Sequence, residues 1–292
     1  GYLHPGPGPA GGLRMEAFQK GLRELGWVEG QNVVVEYRWA DFRDDRLRDS
    51  AVDLARLKVD VIVAFSSGAV RAARNATRTI PIAALDLESD PVATGLAASL
   101  SRPQGNVTGL FLDMPGLNAK WLQLLREALP RASRVAVLWD SATDPAPLRA
   151  TEALAPSAGV QLQVLEVRRR EDFTGAFLAA RTGRAEALMV FQSPLTDRKE
   201  VADLASESRL PTIGMFRKFV EDGGLMSYGP HLDDLFRYLP SFVDKILKGA
   251  KPGELPVERP TRYDMAINLK TAKALRLAIP QSLLLRADHL ID

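Results

Sequence analysis

Short apolar runs that do not alternate, separated by stretches of helical period, constrain this chain more than any other feature. Val61-Ile62-Val63-Ala64-Phe65 is the clearest of them. A strand with one wet face alternates apolar and polar residues, whereas an unbroken run is buried on both faces, as in a parallel sheet. Strands are expected over 33–37, 59–65, 80–85 and 107–112, and again over 135–140, 160–167, 187–191 and 212–216. Helical patterns lie between them at 14–25, 46–57, 69–76, 117–128, 148–158, 172–182 and 197–208. In the first, Met15, Phe18, Leu22 and Leu25 recur at helical spacing and so share one face. Strict alternation of strand and helix predicts an α/β fold with right-handed crossovers.

The pattern runs twice. Four strand–helix units precede about residue 112 and four follow, joined by a Pro- and Gly-rich segment at 101–115. Beyond Gly223 the rhythm changes. A short strand at 225–228 leads to a helical stretch at 233–248 that Pro240 must kink or restart. An extended run at 255–260, a strand near 265–267 and a helix near 269–277 follow. This tail is too short for a third domain, so it is expected to pass back and forth between two similar lobes. The N-terminal lobe is expected over 1–112 and 229–258, and the C-terminal lobe over 113–228 and 259–292. A cleft between such lobes is a natural ligand site, because open parallel sheets bind ligands beyond the carboxyl ends of their strands.

Composition narrows the chemistry. Among 292 residues there is no cysteine, which excludes disulfides, thiolate metal sites and a cysteine nucleophile. His4, His231 and His289 have no partner at metal-ligand spacing, so no metal is expected. Lys plus Arg number 38 against 36 for Asp plus Glu, and the longest basic run, Arg168-Arg169-Arg170, is followed by Glu171-Asp172. No nucleic-acid partner is expected from that balance. No apolar run approaches the ~20 residues of a membrane span. The chain opens at Gly-Tyr-Leu, the appearance that a cleaved export signal would leave.

Several strand ends carry polar groups. The loop Gly6-Pro7-Gly8-Pro9-Ala10-Gly11 has the literal G-x-G-x-x-G spacing of a dinucleotide site. Two prolines remove backbone donors that a pyrophosphate would need, so a plain turn is the expectation, with no cofactor. Ser66-Ser67-Gly68 follows a strand and opens a helix, where hydroxyls and unpaired N–H groups can cap the helix or seat a carboxylate. No G-x-S-x-G elbow accompanies these serines, which argues against a hydrolase. Asp86-Leu87-Glu88-Ser89-Asp90-Pro91 sets three carboxylates in five residues: Asp90 reads as a helix cap with Pro91 at the first position, and Asp86 as the better cleft candidate for an amine. Trp139-Asp140-Ser141, Phe191-Gln192-Ser193 and Met215-Phe216-Arg217 place an aromatic beside a polar group at three further strand ends. The planar fork of Arg217 suits a carboxylate. The sequon Asn106-Val107-Thr108 sits at a strand start and is not expected to be modified.

At this point the residues resemble a known family, the ABC-transporter substrate-binding proteins of the TrpX-like group, over nearly the whole chain. The likeness rests on Gly21-Leu22-Arg23-Glu24-Leu25-Gly26-Trp27 and its continuation to Val33, and on Val59 to Ala64. Asp90-Pro91-Val92-Ala93-Thr94-Gly95-Leu96 with Gly105-Asn106-Val107-Thr108-Gly109 is its most specific part. Gly223 to Gly229, Lys245 to Pro252 and Ile267 to Leu275 look like the closing signatures. The resemblance implies a type I periplasmic-binding fold: two Rossmann-like lobes with parallel sheets and three crossings, near 112–115, 228–229 and 257–262. It implies a non-enzymatic monomer whose partners are an ABC permease in the inner membrane and a small-molecule ligand, an aromatic amino acid or an aromatic or organic carboxylate. Its place would be the periplasm, free or lipid-anchored at the outer face of the membrane.

In the N-terminal lobe the residues expected to meet the ligand are His4, Ser66, Ser67, Asp86 and Ser89. In the C-terminal lobe they are Asp140, Gln192, Phe216, Arg217 and Tyr228. One departure stands out: amino-acid-binding relatives tend to offer Ser and acidic residues after the strand at 212–215, where this chain has Phe216-Arg217-Lys218. That favours an acid as ligand, although Asp86 and Asp140 are available to an amine. The competing readings are the ligand-sensing domain of a regulator, which the lack of a helix-turn-helix ahead of residue 1 disfavours, and a nucleotide-dependent oxidoreductase built on Gly6 to Gly11.

Overall fold

The computed structural model describes residues 1–8, 13–196 and 199–292. Part of the glycine-rich loop (Pro9, Ala10 and Gly11) and the expected start of the helix at Asp197 lie outside the described residues. The chain forms two compact units: Gly1–Asp113 with Leu232–Pro260, and Met114–His231 with Thr261–Asp292.

In unit 1 the strands are β1 (Tyr2–His4), β2 (Tyr37–Trp39), β3 (Ile62–Phe65), β4 (Ile82–Asp86) and β5 (Val107–Phe111). They pair in parallel in the order β2-β1-β3-β4-β5. The helices are α1 (Leu13–Glu24), α2 (Asp44–Arg56) and α3 (Ser67–Ala76), joined by α9 (Leu232–Tyr238) and α10 (Pro240–Leu247) from the tail. The tail helix therefore breaks at Pro240, which starts α10 because it has no N–H to give to a preceding turn. One core cluster gathers Leu3, Leu47, Leu54, Ile62, Val70, Ile82 and Phe111. The strand expected over 33–37 is displaced. β1 pairs Tyr2 with Tyr37, so the ladder starts there, and Val34 is left 78% exposed. The helix expected after Asp90 is a single turn. The Asp90 carboxylate accepts from the Val92 and Ala93 amides at 2.8 and 2.9 Å, and Gly95 at φ +69° ends it.

In unit 2 the strands are β6 (Arg134–Asp140), β7 (Gln161–Val167), β8 (Ala187–Val190), β9 (Thr212–Gly214), β10 (Met226–Pro230), β11 (Tyr263–Asn268) and β12 (His289–Ile291). Their order is β7-β6-β8-β9-β10-β11-β12. All neighbours are parallel except β10 and β11, which run antiparallel because no crossover helix within this unit joins them. The helices are α4 (Met114–Ala128), α5 (Ala146–Leu154), α6 (Phe173–Thr182), α7 (Lys199–Glu207), α8 (Arg217–Glu221), α11 (Leu269–Ala274) and α12 (Gln281–Leu284). α8, α12 and β12 have no counterpart in the sequence reading, since runs of three to five residues carry too little periodicity to be seen.

Close approaches fix the elements. A Cβ on Gly109 would sit 2.1 Å from the Ala84 carbonyl oxygen, and its φ of +132° is one that L side chains rarely adopt. A Cβ on Gly21 would meet the Arg237 carbonyl at 2.2 Å, so α1 and α9 touch backbone to backbone. The same junction is held by Trp27, whose Nε1 donates to Asp244 at 3.0 Å, and by the Arg237 fork on Glu24. Asn106 is buried, and its Nδ2 donates to the carbonyls of Thr77 and Ile80, which leaves no amide nitrogen for a glycan.

Gly109→Ala is expected to destabilise the protein by at least about 2 kcal/mol, from left-hand strain plus the backbone clash. Gly175→Ala, in α6 with nothing within 4 Å of its Cβ position, should instead stabilise by about 0.5–1 kcal/mol. Urea unfolding of both variants checks the pair, and equal effects would mean the close approach is not what requires glycine.

Candidate functional site

The strand order of unit 1 reverses between β1 and β3, and parallel sheets of this order take ligands outside the carboxyl ends at that point. His4 and Phe65 end those two strands, and Trp39 ends β2 in register with His4. Parallel register puts these side chains on one face, and they form a ring cluster around Tyr2. Tyr2 lies 4.5 Å from Phe65, 5.3 Å from Trp39 and 5.4 Å from Phe18 between ring centroids. His4 lies 5.1 Å from Trp39 and 5.6 Å from Phe65, and Phe236 of α9 stacks on Phe65 at 5.1 Å. Burial, with the Arg14 charge nearby, pushes the His4 imidazole down to about 4, so the ring is neutral at ordinary pH. Its Nδ1 accepts the Gly6 amide at 3.0 Å, which leaves the proton on Nε2 as a donor. Asp41 and Phe42, just past Trp39, both hold left-handed φ angles (52° and 59°), and their amides donate to the carbonyls of Gly6 and Pro5. The strained corner brings the half-exposed Phe42 ring to the same loop.

Ser66 follows Phe65 at φ 84°, ψ 157°, a region that is essentially glycine's. Its Oγ accepts the Ala69 amide at 3.4 Å, a long cap on α3. Ser67 has a different use from the expected carboxylate seat. Its Oγ donates to Glu88 Oε2 at 2.7 Å, and its amide points at the same oxygen at 3.3 Å. The anion seat at the α3 N-terminus is therefore filled by a carboxylate of the chain itself. Asp86 is also engaged internally. Its Oδ1 accepts the Glu88 and Ser89 amides at 2.9 and 3.0 Å, and its Oδ2 accepts the Ser89 hydroxyl at 2.5 Å. Asp86 is wholly buried, and loss of solvation pushes its carboxyl up to about 6 against the pull of those hydrogen bonds. Asp86 and Ser89 thus build the turn that carries Glu88 back to α3.

In unit 2 the order reverses between β6 and β8, whose ends carry Asp140 and, one residue past β8, Phe191. Asp140 is buried; its Oδ1 accepts the Ala142 amide at 2.9 Å, and Trp139 Nε1 donates to Thr143 at 3.1 Å. Gln192 is half-buried, with Nε2 3.5 Å from the Ser193 carbonyl. Phe216 is buried at the start of α8. Tyr228 is half-buried and stacks on Tyr263 at 5.7 Å, and its carbonyl accepts Trp121 Nε1 at 2.6 Å. Arg217 does not present a free fork. Its Nε donates to Glu221 at 2.8 Å one turn along α8, with the side chain 53% exposed, and Lys218 pairs likewise with Asp222.

Trp39, Phe42 and Glu88 also stand at this end of the unit 1 sheet and are not among the residues expected from the sequence. Trp39 and Phe42 lie in and after a strand that the apolar run placed too early, and Glu88 was read only as part of an acidic turn. A groove of about 240 Å³ in unit 1 lies at the opposite, amino-terminal edge of the sheet, beside Val35, Leu57 and Val59. Among the described residues no group of three or more His, Asp or Glu is placed to hold a metal ion, and no helix is long and apolar enough to cross a membrane.

Ser66→Gly is expected to stabilise the unliganded protein by on the order of 1 kcal/mol, since it releases the strain and glycine caps nearly as well; a lower urea midpoint would show that the conformation is unstrained. Asp86 bears on pH. Its folded value lies above that of an unfolded aspartate (3.8), so the folded state holds the proton longer. The stability it contributes is greatest below about pH 4 and is lost as pH rises through about 6. His4 works in the opposite sense, its contribution being lost as pH falls from about 6.5 towards 4. Comparison with Asp86→Asn isolates the aspartate: the variant should gain on the wild type by on the order of 2 kcal/mol between pH 4.5 and 7. Parallel urea profiles of the two proteins would contradict this.

The chain matches the family described as ABC transporter substrate binding protein over residues 7–291. It is 26% identical over 264 residues to the tyrosine-binding protein of Clostridioides difficile (strain R20291), a match that spans 89% of this chain and 75% of that protein. Its fold superposes on an ABC domain from Streptococcus pneumonia in complex with L-Trp with a TM-score of 0.91 at 24% identity, covering 99% of this chain and 98% of that one. A conserved domain protein from Vibrio cholerae o1 biovar eltor gives 0.90 at 24% identity with the same coverage. The chain has the two-lobed type I periplasmic-binding architecture, and it belongs to the ABC transporter substrate-binding proteins, the solute-capturing components of ABC importers.

Proposed function

We propose that this chain captures an aromatic L-amino acid, tyrosine or tryptophan, and delivers it to the membrane permease of an ABC importer. It works as a monomer in the periplasm, or lipid-anchored at the outer face of the membrane, with no chemical step and no nucleic acid. The observation that carries the reading is the aromatic end of the unit 1 sheet, where half-buried Trp39 and a neutral His4 lie at the strand-order reversal. Flat apolar walls with one oriented donor, here His4 Nε2–H, suit a ring with a polar edge. The tyrosine-binding relative and the fold shared with an L-Trp complex support the same ligand class.

Charge recognition is not assigned to Arg217, whose guanidinium is exposed and already paired with Glu221. Nor is it assigned to the Ser67 hydroxyl, which is donated to Glu88. Ser66, Asp140, Gln192, Phe216 and Tyr228 remain in the proposed binding set, and Asp86 and Ser89 support it from behind Glu88.

Titration calorimetry tests the reading. At least one of L-Tyr and L-Trp should bind about tenfold or more tightly than L-Leu. Trp39→Ala should weaken the preferred aromatic by about tenfold, the value of one good ring contact, while Arg217→Ala should stay within about twofold. Equal binding of aromatic and aliphatic amino acids, or none at all by folded protein, would overturn it.

A further inference from the structure

His4 carries a hydrogen-bond donor that backbone contacts alone fix in place and that no described residue takes up. The chain leaves β1 at His4 and turns at once through Pro5 and Gly6. The Pro5 carbonyl accepts the Phe42 amide at 2.6 Å, and the Gly6 carbonyl accepts the Asp41 amide at 3.1 Å. So held, the Gly6 amide donates to His4 Nδ1 at 3.0 Å. A Cβ on Gly6 would lie 3.1 Å from that nitrogen and 3.0 Å from Cε1, so the loop crosses the imidazole edge too closely for a larger residue unless the ring gives way. A nitrogen that accepts carries no proton, so the neutral ring has its proton on Nε2. The ring stays neutral because burial, and then the Arg14 charge, oppose a second proton.

Nε2 makes no hydrogen bond among the described residues. It is not shut in, since the ring is only half-buried and Nε2 is not one of the solvent-excluded polar atoms. Phe42 is 46% exposed, and its ring tip comes within 3.4 Å of the point where a Gly6 Cβ would stand, the same point that Cε1 approaches. Nε2 is bonded to Cε1, so the donor opens beside an aromatic ring that a solute can reach. Half-buried Trp39 stands 5.1 Å from the imidazole at an angle of 56°.

We propose that His4 Nε2–H makes this edge selective for a ring that carries a hydrogen-bond acceptor, a phenol, over an indole or a bare phenyl. The inference deepens the proposed function and rests on its aromatic amino-acid class. A phenol oxygen accepts as well as donates, whereas an indole edge offers only an N–H. An indole turned edge-on would set N–H against N–H, and a phenyl would cover the donor and leave it unpaired. The positive charge of Arg14 near His4 works in the same sense, because it favours a phenol oxygen over the positive edge of an indole. A site built to bond one polar group rejects analogues that lack it through the bond left unmade.

Titration calorimetry compares L-Tyr, L-Phe, L-Trp and tyramine, which has the phenol of tyrosine without its carboxylate. The wild type should bind L-Tyr about tenfold more tightly than L-Phe or L-Trp, the worth of one good hydrogen bond. His4→Phe keeps an aromatic ring and removes the donor. L-Tyr should fall to the level of L-Phe, tyramine should weaken by the same factor, and L-Phe should stay within about twofold. Gly6→Ala keeps His4 but presses a methyl on the imidazole edge, and should cut the preference for L-Tyr over L-Phe by about threefold or more; it serves where His4→Phe does not fold. A wild type that binds L-Phe or L-Trp as tightly as L-Tyr overturns the inference and leaves the proposed function standing. So does a loss in His4→Phe that is equal for L-Tyr, L-Phe and L-Trp and spares tyramine, because the donor would then hold the carboxylate of the ligand. Absence of binding by all three aromatic amino acids overturns both.

Discussion

Strands buried on both faces govern what each unit can do with polar groups. Between β1 and β5 every residue of β3, β4 and β5 is buried, and the backbone groups are paired along the ladders. A polar side chain in such a sheet must find a partner, as the Thr108 hydroxyl does on the Leu255 carbonyl, because an unpaired group would cost about 1–3 kcal/mol. Function is displaced to the ends, where the chain leaves the ladder and helices present unpaired N–H groups. Where the strand order reverses, two successive loops leave in opposite directions and open a gap, the place where open parallel sheets in general take ligands. His4, Phe65 and Ser66 stand there in unit 1, and Asp140, Phe191 and Gln192 in unit 2.

The two edges treat their polar groups differently. In unit 1 the Asp86 turn and the Ser67–Glu88 contact form a closed network in which both carboxylates are served by the chain itself. A carboxylate fixed at the α3 N-terminus satisfies donors that would otherwise hold an anion. The raised Asp86 carboxyl records the cost of burying that network. In unit 2, Asn118 and Ser141 Oγ have no hydrogen-bond partner among the described residues.

Much of the fold was legible because the residues that mark it are tied to backbone geometry. Non-alternating runs located the buried strands β3, β4, β5, β6 and β8 to within a few residues. Pro240 marked the break between α9 and α10. The motifs that pointed to the family, Gly21 to Trp27, Gly105 to Gly109 and Gly223 to Gly229, are places where two backbones touch or a side chain ties two elements. The antiparallel direction of β11 was harder to read than the strand itself, because the chain leaves unit 2 between β10 and β11, and β12 is too short to show a period. The site was much less legible. Strand ends could be listed, but not which side chain would be consumed by a neighbour. Arg217 looked like a carboxylate clamp until Glu221, one helical turn away, took it. Ser67 looked like an anion seat until Glu88, 21 residues away, filled it.

A buried polar group without a partner costs about 1–3 kcal/mol, and Ser66, Asp41 and Phe42 hold strained backbone besides. Polar groups of that kind also select among solutes. A hydrophobic wall alone discriminates weakly between solutes of similar size, whereas a buried polar group that a wrong solute leaves unpaired penalises that solute directly. Placing apolar walls at one strand-order reversal and unpaired polar atoms at the other lets each sheet remain internally satisfied along its ladders. The polar deficit is confined to a few side chains at the edges, so the sheets lose none of their pairing to hold it.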